Sequence, residues 1–241
     1  PKIDPAELDR ERGVVIQEIA RAHDQPSVIA EHLIDRAAFG DHPLGRPVLG
    51  PEEHLRDTFT RDGILAFRRR QWVGSRGGAF LVGNLDHVPE DNEMAELFGR
   101  FPSISSNGGS EPAPPFAPTT LVESRESNQS HLRMSYRPSI ESRAPAERAA
   151  LSVYSTLLGG SMGSRLFDEI REQRGLAYSV YSIDHTFADV PILQLSAGLD
   201  SSKCVEAFGR MREIVDELRS EGPSEEEVAR ARAYAAGRRV L

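Results

Sequence analysis

The sequence predicts an α+β fold in two units, each a mixed or antiparallel sheet with helices packed on it. Three observations carry this. Apolar residues recur at helical spacing through several long stretches. Shorter apolar or alternating runs, bounded by Gly, Pro and polar clusters, read as strands. Residues 102–118 then break the pattern with five prolines, four serines and Gly108-Gly109, a composition that stays extended and builds no core. At 241 residues, 39% of them hydrophobic, the chain has room for one large or two ordinary domains with real cores. The boundaries that follow are 1–101 for the first unit, 102–118 for a linker and 119–241 for the second.

The elements follow in order. Asp4-Pro5-Ala6-Glu7 is a helix start, with Asp at the cap, Pro at the first helical position and an acid in the first turn. That helix runs to about His23, where Asp24-Gln25-Pro26 ends it. A second helix is expected over about 26–39, with Val28, Ile29, Leu33, Ile34 and Ala37 at helical spacing. The stretch 40–50, GDHPLGRPVLG, is too rich in Gly and Pro for regular structure. A helix over about 60–71 follows, then a buried strand at 77–83 and a helix over about 89–101. The second unit opens with strands at about 119–124 and 130–136. In the latter His131, Arg133 and Ser135 alternate with Leu132, Met134 and Tyr136, a half-buried pattern. A helix from Pro145 to Leu158 leads to the glycine-rich turn at 159–163. A helix over 164–174 then carries Leu166, Phe167 and Ile170 on one face, with Gly175 as its cap. Strands at about 177–185 and 192–198 and a helix over about 202–221 complete the sheet and its cover. Ser224 and Glu227 form a capping box for a last helix, which still runs at Leu241. The chain begins at Pro1 without a methionine and enters a helix at once, so it is expected to be a fragment at both ends.

The first helix carries the chemistry most worth weighing. Glu11 and Glu18 stand seven residues apart, two turns, so their carboxylates point the same way. They fall inside an apolar arc of Leu8, Val14, Val15, Ile16, Ile19 and Ala22, while Arg10, Gln17 and Arg21 point the opposite way. Burying a carboxylate is costly without a compensating cation or hydrogen bonds. Two acids on a packed face therefore suggest a metal or catalytic role. An interrupted stripe with both acids at its solvated margin fits the same pattern.

Several stretches together resemble one known family. ERGVVIQEI at 11–19 is similar to the distal glutamate segment of the insulinase, pitrilysin and mitochondrial processing peptidase family. GDHPLGRPVLG resembles that family's PLGRPILG loop, and Gly83-Asn84-Leu85-Asp86-His87 its G-N-x-D-H. LLGGSMGSRLFDEIREQRGLAYSVYS at 157–182 resembles the most specific motif of its second homologous domain, departing only at Ser161-Met162-Gly163. The family's members are zinc metallopeptidases, inverzincins built on H-x-x-E-H. The resemblance implies two homologous domains, the first only partly present here, and a zinc-dependent endopeptidase acting on peptides or small unfolded proteins. It implies Zn²⁺ as cofactor of the complete enzyme, with Glu18 a zinc ligand and Glu11 the carboxylate that supports it. Arg171 and Tyr178, seven apart, match the pair that reaches substrate. Read on their own, without the resemblance, Arg171 is an exposed helix-end arginine beside Glu172, and Tyr178 a strand core residue. The family also implies a homodimer or a heterodimer with another family subunit, and leaves open a non-catalytic partner subunit that binds peptide without zinc.

Other classes find less support. His32 and His54 each follow a glutamate, but Val28 and Gly50 stand where a first histidine would, so H-x-x-E-H is absent from this chain. This predicts that the chain alone is inactive and does not hold zinc tightly. No nucleophile elbow or P-loop is present. The net charge of −8 and pI near 5.5 argue against a nucleic-acid or anionic-membrane surface. Cys204, the single cysteine, excludes an internal disulfide. No apolar run approaches a membrane span, and no targeting signal is visible, which leaves cytoplasmic and exported locations open.

Overall fold

The structure, a computed structural model, describes residues 3–78, 80–84, 112–141, 144–187 and 190–240, with positions 86, 88, 93, 95, 96 and 99 between them. The chain divides into two compact units, one of Pro1–Ala20 with Leu49–Pro112 and one of Arg21–Val48 with Ala113–Leu241. The expected helix over 89–101 and residues 102–111 of the expected linker lie largely outside the described residues.

Helix α1 (Pro5–His23), which lies in the first unit up to Ala20, begins as its sequence dictates: the Asp4 carboxylate accepts the Ala6 N–H at 2.9 Å, and Pro5 takes the first helical position. The Arg12 guanidinium donates to the carbonyls of Leu55 and Phe59, the latter at 2.8 Å, tying α1 to the one-turn π segment His54–Thr58. Helix α3 (Arg61–Gln71) is capped by Thr60, whose hydroxyl accepts the Gly63 N–H at 3.1 Å. Helix α2 (Pro26–Phe39) has the expected bounds and belongs to the other unit. The buried strand expected at 77–83 is not formed at its described positions, and Phe80 and Val82 are 92% and 98% exposed. An apolar run becomes a strand only where a neighbour completes its ladder, and none of the described residues of this unit is a strand.

The second unit is built on a three-stranded antiparallel sheet, β1 (Ser130–Tyr136), β2 (Ala177–Phe187) and β3 (Val190–Leu199), in the order β1-β3-β2. Helices α4 (Pro145–Ser155), α5 (Cys204–Glu221) and α6 (Glu225–Val240) join it. Every position of β3 is buried. Successive strand residues face opposite sides of a sheet. Leu193, Leu195, Ala197 and Leu199 enter the main core with Leu158, Leu166, Ile170, Met211 and Ile214. On the other face Ile192 packs with Phe39 of α2, and Gln194 donates to the Asp35 carboxylate at 3.0 Å. Burial raises the Asp35 carboxyl above its ordinary range, and the Gln194 hydrogen bond opposes that shift.

The alternation read in 130–136 is observed. Leu132, Met134 and Tyr136 pack on the main core, while Arg133 donates to the Ser27 carbonyl at 3.3 Å and pairs with Glu31 at 3.5 Å, both on α2. The face expected to be solvated is thus covered by a helix. The strand expected at 119–124 is not formed; these residues join no ladder, and among the described residues β1 pairs only with β3. The helix expected to reach Leu158 is α-helical to Ser155 and then widens into a π turn, Thr156–Gly160. Here Gly159 lies against β2 so closely that a Cβ would meet the Ser182 nitrogen at 2.5 Å, so only glycine fits.

Candidate functional site

Arg171 and Tyr178 are brought together by two local features. The segment from Ser164 is anchored by Leu166 and Ile170, both fully buried. It winds as a π helix over Phe167–Gln173, a geometry concentrated at functional positions. Gly175, at φ 57°, ends it: the Leu176 N–H donates to the Ile170 carbonyl at 2.8 Å, and the Gly175 N–H to the Arg171 carbonyl at 3.1 Å. The chain then enters β2 directly. Ala177 pairs with Leu199 and Ser179 with Gly198, so Tyr178 is the extra residue of a β-bulge. A bulge re-aims its side chain. Tyr178 is 77% exposed and is not the strand core residue its sequence context allowed.

The Arg171 guanidinium sits 4.9 Å from the ring centroid of Phe167 and 5.9 Å from that of Tyr178. Its closest anion is Glu172 at 3.7 Å, an exposed pair of small energetic weight. The site therefore offers a guanidinium fork and a phenol, flanked by aromatic faces, with donors available to a carbonyl or carboxylate. Phe167 does not share the full burial of Leu166 and Ile170, with which its spacing groups it; it is half-exposed beside Arg171. Their i, i+4 spacing was the signal that could have revealed the stack.

Glu11 and Glu18 lie on one side of α1 as their spacing requires, and both are exposed. Neither has a hydrogen bond or ion pair among the described residues. The expected packed face is not seen: only Ile19 of α1 is buried, and Val14, at the margin of the arc, is 45% exposed. The acids sit at a solvated edge because the arc that flanks them is itself thinly covered. Unpaired carboxylates suit metal ligation chemically. Among the described residues, however, no three His, Cys, Asp or Glu side chains come together as a metal-holding group, so the described residues do not by themselves supply a zinc donor set.

The sequence profile described as the Peptidase M16 inactive domain matches residues 58–234. This chain belongs to the M16 peptidase family. The resemblance read from the motifs holds, and so does the α+β fold class. An uncharacterized zinc protease of Streptomyces coelicolor is 32% identical over 99% of this M16 chain and 53% of its own length. One of Mycobacterium leprae is 34% identical over 99% and 54%, and one of Bacillus subtilis 31% over 99% and 57%. The M16 chain thus spans about half the length of the curated relatives it matches. Among solved structures, a peptidase M16 inactive domain from Pseudomonas fluorescens superposes with a TM-score of 0.89 at 21% identity, covering 100% of this chain and 58% of that one. A protease from Helicobacter pylori gives 0.83 at 16% identity, covering 99% and 59%. At these identities the likeness is one of fold.

Proposed function

We propose that this chain supplies the distal zinc-ligand helix and the substrate-gripping pair of a zinc-dependent endopeptidase that cleaves peptides or small unfolded proteins. The observation that carries the reading is the Tyr178 bulge, which sets an exposed phenol ring beside the Arg171 guanidinium, 5.9 Å from the ring centroid. The relatives' names as zinc proteases support the metal. Glu18 would be one of three protein ligands and Glu11 the carboxylate that orients it. The two histidines of H-x-x-E-H would come from outside this chain, which alone carries too few donors and is inactive. Zinc, when bound, would polarise a peptide carbonyl and acidify a water. Arg171 and Tyr178 would donate to the substrate backbone, fixing the scissile segment in place.

In the same reading, 1–101 and 119–241 are parts of two homologous domains joined by 102–118, and the enzyme works as a homodimer or a heterodimer with a family subunit. A second reading, a non-catalytic partner subunit that binds peptide without zinc, is favoured by the matched profile, whose description is of an inactive domain and whose span contains Arg171 and Tyr178 but not α1.

Metal content and turnover of the complete protein separate the two. Glu18→Gln is expected to lose zinc and activity. Glu11→Gln should keep most zinc and lose about 10–100-fold in kcat. A wild-type protein that holds no zinc and cleaves nothing would favour the partner subunit. Emptying of the site by Glu11→Gln but not by Glu18→Gln would exchange the two roles.

A further inference from the structure

Arg171 has weak partners of its own, so its position is inherited from the segment that carries it. That segment is tied to the helices behind it at two points, and the glycine that ends it to a neighbouring turn at a third. At its start, Arg165 donates from Nε and Nη2 to the two carboxylate oxygens of Glu227 on α6, at 2.6 and 3.0 Å. The two side chains are only 23% and 19% exposed, and Glu227 is itself held by the Ser224 N–H at 2.8 Å. In its middle, Glu169 accepts from Nε of Arg210 on α5 at 2.8 Å, and Arg210 is braced in turn by Glu217 at 2.7 Å. At its end, Lys203 Nζ donates to the Gly175 carbonyl at 2.8 Å. A bidentate, partly buried Arg–carboxylate pair fixes orientation as well as distance.

We propose that Arg165 and Arg210 are positioning residues for substrate binding: their ion pairs with Glu227 and Glu169 hold the Ser164–Arg174 segment so that Arg171 stays beside Tyr178. The inference rests on the reading of Arg171 as a substrate-gripping residue. Neither arginine touches substrate; each acts through Arg171.

A double-mutant cycle on peptide cleavage by the complete protein distinguishes positioning from general support of the fold. Arg165→Met is expected to lower kcat/KM about 10-fold, the scale of a small displacement of a positioning group. Arg165→Lys, which keeps the charge but not the fork, should recover only part of the loss. In an Arg171→Ala background, Arg165→Met should cost less than about 2-fold, because the group it positions is gone. Arg210→Met provides the same cycle if Arg165→Met fails to fold. Equal losses in both backgrounds, or no loss in either, would overturn the proposal. Unchanged kcat/KM in Arg171→Ala alone would instead overturn the role of Arg171 and this inference with it.

Discussion

The two candidate regions are built in opposite ways. Arg171 and Tyr178 stand on a segment whose neighbours Leu166 and Ile170 are fully buried and whose flank is tied by ion pairs to α5 and α6. Glu11 and Glu18 stand on a helix that buries Ile19 alone, and they have no partner among the described residues. The first region carries its own preorganisation in this chain. The second holds two exposed carboxylates that, in the proposed reading, would be set in place by groups from elsewhere.

The sharpest way to break this contrast is to remove core from each region. Ile170→Ala should cost about 2–5 kcal/mol in denaturant unfolding, because a fully buried side chain leaves a cavity. Ile19→Ala should cost roughly 2 kcal/mol or less, since its surroundings can relax. Equal losses would mean that α1 is as firmly packed as the sheet unit.

Limited proteolysis probes the division of the chain. Residues 102–118 are expected to be cut first, leaving two resistant pieces, because their composition favours extended, accessible backbone. Early cuts within 151–181 with 102–118 intact would contradict that division.

The smallest effect concerns acid. The hydrogen bonds from Arg165 lower the Glu227 carboxyl from 4.5 to about 2, with burial opposing. A depressed carboxyl stabilises the fold above its unfolded value and loses that contribution as pH falls through its folded value. The stability difference between wild type and Glu227→Gln should therefore be full above about pH 5 and shrink towards pH 2. A difference independent of pH would show that the ion pair contributes nothing.

Local chemistry was well written in the sequence. Asp4-Pro5 starts α1, α2 has the expected bounds, and the capping box is formed, with the Glu227 N–H donating to Ser224 Oγ at 3.3 Å and the Ser224 N–H to the Glu227 carboxylate. What escaped depends on partners far away in the chain. Arg165 meets Glu227 across 62 positions and Arg210 meets Glu169 across 41, and no periodicity encodes such pairs. The runs at 77–83 and 119–124 have strand composition but no ladder partner among the described residues, and a strand is a property of the pair. The arc left two readings open for Glu11 and Glu18, and the solvated margin is the one observed; a helical arc names neighbours on the helix, not what covers them. The Tyr178 bulge is a matter of register against Leu199 and Gly198, which alternation alone cannot show.

The most direct test of the account is the activity and melting temperature of Arg171→Ala and Tyr178→Phe in the complete protein. Both side chains are exposed and make donors available rather than filling core. Loss of a donor to a substrate carbonyl or its oxyanion should lower kcat/KM roughly 10²-fold. Stability should change by less than about 0.5 kcal/mol, as at surface positions without packing duties. Turnover at the wild-type level in both variants, or a large drop in melting temperature with normal turnover, would show that the pair serves the fold and not the substrate.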